Sequence, residues 1–206
     1  MNFKIIVKNT FNKFKSKNMN SFKLSTLFFV TALVISFIAC SSDDDTSPSG
    51  SDFGDFQLDV SGDFNAQKSG FADFDGMEAF GTHTWEINLN DHNPSTVSLQ
   101  FMLVSTTEEV NQPSPGTYQI GFEANSSDVF TAIYAHIPDG NFSETVEYST
   151  LPTGDQFYGG TLVIETSNAD VVSGTFDFTA ATVDDDFNVV GEISVSGEFN
   201  ARKRMN

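Results

Sequence analysis

The sequence predicts an all-β fold: a single antiparallel β-barrel-like or sandwich domain of about 8–10 strands, placed after an apolar leader and a short linker. Three observations carry this. Beyond residue 55, apolar and polar residues alternate with period two, the pattern of strands with one face buried and one in water. Clusters of Pro, Gly, Asn and Asp interrupt the alternation at short intervals. No stretch beyond the leader sustains a helical period.

The first element is residues 24–39, LSTLFFVTALVISFIA, an uncharged apolar run of 16 residues. It is shorter than the roughly 20 residues a spanning helix needs. Lys4, Lys8, Lys13, Lys15, Lys17 and Lys23 precede it and no base follows closely, which is the layout of a secretory signal. It ends in Phe37-Ile38-Ala39-Cys40. This ending resembles the lipobox of bacterial lipoproteins, with Phe37 standing where Leu is commonest. The resemblance implies that Cys40 is acylated on its sulfur and on its new amino terminus. Several acyl chains, at about 0.8 kcal/mol per buried methylene, anchor stably where one does not. An uncleaved anchor, or a general signal with an incidental Cys, is the alternative. Met19 opens a more usual leader, MNSFKLSTLFF, and either start yields the same mature chain. The expected organisation is therefore a lipoprotein signal peptide over 1–39, a lipidated Cys with an acidic flexible tether over 40–54, and a β domain over 55–203.

Within the tether, Ser41-Ser42-Asp43-Asp44-Asp45 resembles the acidic tract that follows the lipidated Cys in Bacteroidetes lipoproteins exported to the cell surface. Read without the resemblance, it is a solvated spacer. Residues 46–52, TSPSGSD, are a flexible Ser/Pro/Gly segment.

Alternation then marks strands at 58–66, 85–89, 97–101, 118–122, 129–137, 160–166, 171–180 and 189–201. Turn signals fall at 91–94, 112–116, 138–141, 152–155 and 184–186. A motif echoes along the chain: VSGDFNAQK at 60–68, VSGTFDFTA at 172–180 and VSGEFNARK at 195–203. Its Val, Gly and Phe share one face, with Gly leaving room for a facing ring or a bend. The expectation is that the first and last strands lie side by side and close a barrel, which protects the sheet edges. The stretches GTYQI (116–120), AIY (132–134), GTLVI (160–164), VSGTFDFTA and VSGEF (195–199) resemble a group of small β-rich Bacteroidetes outer-membrane lipoproteins with no assigned function. That resemblance spans roughly residues 56–202. It implies fold and cellular address, and it brings no catalytic residue with it.

Charge narrows the function classes. The chain has 10 Lys and Arg against 28 Asp and Glu. Beyond Cys40 the only bases are Lys68, Arg202, Lys203 and Arg204, so the mature chain carries a formal charge of −24. That excludes a nucleic-acid footprint, which needs a basic patch. It also excludes loose adsorption to anionic lipid. A single Cys forbids an intramolecular disulfide and a Cys-rich metal site.

Candidate chemistry is sparse. His83, His92 and His136 lack zinc-motif spacing, and no G-x-S-x-G elbow occurs. A glycosidase needs two carboxylates; Glu78, Glu86, Glu123, Glu144, Glu147 and Glu165 qualify by type alone. No cofactor is expected except calcium, for which Asp73, Asp75 and Glu78 in a short acidic loop, and Asp184, Asp185 and Asp186 beside Asn188, are the candidate ligands. Trp85 alternates in step with Ile87 and Leu89 and reads as core. Phe157 and Tyr158 follow a Pro/Gly turn and read as exposed aromatics suited to a ligand. The expected function is a surface-exposed, non-catalytic binding or interaction module with a glycan or protein ligand. A periplasm-facing structural lipoprotein and a glycan hydrolase are the alternatives.

Overall fold

The computed structural model describes residues 53–204, apart from 80, 92–94, 108, 124–125 and 152–156. Residues 1–52, with Cys40 and all but the last two residues of the expected tether, and His92 lie outside the described residues; Gly54, expected in the tether, already belongs to the first strand. Pro48–Asn206 forms one compact unit. Its described residues hold ten strands: β1 (Gly54–Gly62), β2 (Ala66–Ala79), β3 (Thr82–Asn90), β4 (Val97–Ser105), β5 (Gly116–Ile120), β6 (Ser126–His136), β7 (Val146–Ser149), β8 (Gly160–Ser167), β9 (Val171–Val183) and β10 (Val189–Lys203). Two single-turn 3-10 segments, Pro138–Gly140 and Phe142–Glu144, link β6 to β7.

The strands form one sheet that closes on itself. Following hydrogen-bonded neighbours leads from β1 through β2, β3, β4, β6, β5, β8, β9 and β10 back to β1. Every ladder along this path is antiparallel except the short parallel pairing of β5 with β6. At the other end β7 bridges β6 and β9. The expected adjacency of the first and last strands is observed, with Val60 opposite Val195 and Phe56 opposite Phe199.

Alternation explains which side chains turn inward. In β1, Phe56, Leu58 and Val60 are buried while Asp55, Gln57 and Asp59 are exposed. The same rule puts Trp85, Ile87 and Leu89 of β3, Leu99 and Phe101 of β4, and Phe176 and Phe178 of β9 into one core. The rings interlock edge to face or tilted: Phe101 lies 5.0 Å from Phe176 and 5.8 Å from Phe178, and Trp85 lies 5.8 Å from Phe74. Side chains thus fill the interior. Trp85 is core, as its alternation implies.

The echoed motif explains how rings of this size fit. Gly174 pairs with Phe199, and Gly197 pairs with Phe176, so each Phe on one strand faces a Gly on its neighbour. A Cβ on Gly174 would land on the Val163 carbonyl oxygen of the strand behind it. The first copy behaves differently. The strand expected over 58–66 ends at Gly62, whose φ of 122° turns the chain, and Phe64 lies in the turn to β2.

Two strands carry sequence that did not read as strand. Residues 73–78, expected as an acidic loop, lie inside β2, where Asp73 faces Asn88 and Asp75 faces Glu86 on β3. Asp and Gly are poor strand formers, but long-range pairing overrides that preference here. β7 has only four residues, too few for a pattern, and forms because β6 offers it an edge.

Candidate functional site

With its interior packed, the barrel leaves its outer wall and its ends for chemistry. On the wall, a groove of about 330 Å³ crosses β8, β9, β10 and β1. Register places its side chains. Asp55 faces Asn200, Gln57 faces Glu198, and Glu198 and Asn200 in turn face Thr175 and Ser173 of β9. The register of β8 against β9 shifts between Ile164 and Thr166, and the displaced residue, Glu165, joins the groove. Three carboxylates therefore share this groove with two amides and two hydroxyls, and no base lines it. Such a surface accepts hydrogen bonds strongly and also donates them from Gln57 and Asn200.

Further along the same wall, Phe157 is 88% exposed, and its neighbour Tyr158 donates a hydrogen bond of 2.6 Å to Glu192 on β10. Partial burial and the Glu192 carboxylate push the Tyr158 pKa up to about 12. The phenol therefore stays neutral and its donor is committed. Phe157 is the freer aromatic.

A second polar cluster lies outside the core at the end of β10. This strand runs past the start of β1 and pairs with β2, which delivers Arg204 to Asp73. The guanidinium donates to Asp73 from Nη2 at 2.6 Å and from Nε at 3.1 Å. Glu86, nearly buried, accepts from Gln100 at 2.7 Å, from Asn88 at 3.1 Å and from Arg204 at 3.4 Å. Burial of a carboxylate requires such partners. Sequence reading missed this cluster because Arg204 and Asp73 lie 131 positions apart.

The calcium candidates are placed as follows. Asp73 and Asp75 lie on the outer face of β2, Glu78 lies on the opposite face of the strand, and Asp73 takes its cation from Arg204. The three do not converge, because strand side chains alternate where loop side chains need not. Asp184 caps the β9–β10 turn, accepting from the amides of Asp186 and Asn188 at 3.0 and 2.9 Å. Those hydrogen bonds, led by Asn188, hold its carboxyl below the usual range. Asp185 and Asp186 are exposed beside it. Among the described residues, no group of three or more His, Cys, Asp or Glu is arranged to hold a metal ion.

The remaining candidates scatter. Glu123 and Glu144 are exposed in connections. Burial raises the carboxyl pKa of Glu147 on β7, which does not line the groove. His83 lies 3.9 Å from Glu78. His136 and Lys68 face inward at one end of the barrel. No family model, curated protein or solved structure matches this chain.

Proposed function

We propose that this chain is a lipid-anchored outer-membrane protein of the small β-rich Bacteroidetes group, displayed at the cell surface as a non-catalytic binding module. The anchor reading rests on Cys40, the only Cys, at the end of the apolar run. Surface display rests on the acidic tract behind it. The observation that carries the binding reading is the wall groove itself: a concave polar surface of about 330 Å³ on a barrel whose interior is already packed. A glycan suits it best. Sugar hydroxyls would donate to Asp55, Glu165 and Glu198 and accept from Gln57 and Asn200.

The test is a polysaccharide panel titrated against the wild type and against Asp55→Asn combined with Glu198→Gln. Losing charge-assisted acceptors is expected to weaken binding on the order of tenfold per bond. Equal binding by both proteins would show that the groove is not the site. The packed interior also supports the second reading, a periplasm-facing structural lipoprotein, which would bind no member of the panel.

A further inference from the structure

We propose that the Phe64 turn is an acid-released plug at one end of the barrel, held shut by neutral His136 stacked against it and freed when that imidazole gains a proton. This goes beyond the binding reading and does not depend on it.

The plug and its seat are built from separate strands. Gly62 turns the chain, and the ring of Phe64 lies 4.4 Å from that of His136 at 26°, a stacked pair. Beneath it are Tyr134 at 6.2 Å and Tyr148 at 6.1 Å. Two bonds hold the turn: the Asp63 amide donates to the Glu192 carbonyl at 3.0 Å, and the Tyr148 hydroxyl donates to Asp63 at 3.3 Å.

The seat is poor in acceptors. The hydroxyl of Tyr134, whose side chain is fully buried, and Nδ1 of His136 are both enclosed and have no partner among the described residues. A neutral imidazole tolerates this far better than a charged one. The groups around the ring offer no relief. From β2 comes Lys68, a like charge. Asp91, after β3, accepts from the Thr96 hydroxyl, from the Thr96 amide at 2.6 Å and from the Val97 amide at 2.7 Å, and lies 3.7 Å from Lys68. Asp63 is taken by Tyr148. β4 and β7 place Val97 and Val146 opposite His136, while Glu147 alternates onto the other face of β7. Stacking on a phenyl ring alone would favour the imidazolium. Burial and the Lys68 charge act in the opposite sense, and together they hold the His136 pKa below its ordinary value.

The sign follows. A depressed histidine pKa stabilises the closed form fully above the ordinary value of about 6.5, and this contribution falls as pH drops toward the lowered value. Opening would bare Tyr134 and Tyr148 at the barrel end, so the same domain would present a different surface in an acidified niche.

The experiment is hydrogen exchange on the full chain, corrected for intrinsic rates, between about pH 7.5 and 5.5, above the ordinary carboxylate range. Protection of the Asp63 amide is expected to fall about tenfold, with the amides of Phe178 and Val195 unchanged. His136→Phe keeps a ring on Phe64 and is expected to remove the pH dependence. Lys68→Met removes the like charge and is expected to raise the midpoint of the ring's own titration, followed by NMR. Loss of protection in His136→Phe equal to the wild type, or a constant Asp63 protection in the wild type, overturns the plug. If His136→Phe does not fold, the Lys68→Met midpoint decides, and an unmoved midpoint overturns it.

Discussion

Phe199→Ala is expected to lower the unfolding free energy of the barrel by about 3–5 kcal/mol. The ring is 4% exposed, and it sits where three strands meet, opposite Phe56 on β1 and Gly174 on β9. It also stacks on Phe176 at 6.4 Å. Gly174 has no side chain to swing into the vacated space, and its own backbone is pressed against Val163. The cavity therefore persists, and the penalty falls at the upper end of the usual range for large-to-small changes. Phe64 is a useful contrast. It carries the same motif position at the first copy, but it is only half-buried in a turn, so Phe64→Ala is expected to cost less than half as much. Chemical denaturation of both variants checks the pair. Equal penalties would mean that the Gly-to-Phe facing arrangement does not organise the core.

Cys40→Ser is expected to abolish lipid labelling entirely and to leave an unprocessed precursor. On the proposed anchor the effect is all or none, because Cys40 carries the only thiol in the sequence and Ser41 beside it cannot replace it as acyl acceptor. Radioactive palmitate on the variant reads this directly. Continued labelling would sink the anchor and, with it, the address.

The fold was legible where the physics is local and periodic. Alternation at 85–89 and 97–101 located β3 and β4 within a few residues, and the repeated Val-Ser-Gly placed β1 beside β10. β2 does not read as a strand, for a physical reason. Asp73, Asp75 and Gly76 look like a turn, yet Ala72 and Phe74 were already alternating with the acids and pointed inward. What stayed hidden depends on partners distant in sequence. Nothing in the order of residues brings Arg204 to Asp73, Phe64 to His136, or Glu165 out of register into the groove. Those placements come from closure of the sheet, from the turn at Gly62 and from one bulge. The groove is the hardest case, because 28 acids make any three look alike until register brings them together.

Surface display of the proposed lipid-anchored barrel requires that its outer wall be reachable from outside the cell. Protease treatment of intact cells tests it most directly, with the isolated folded domain shown beforehand to be cleavable. The expected result is loss of the protein from intact cells while a periplasmic marker survives. Survival of the protein until the cells are lysed would contradict surface display and leave the periplasm-facing structural reading in its place.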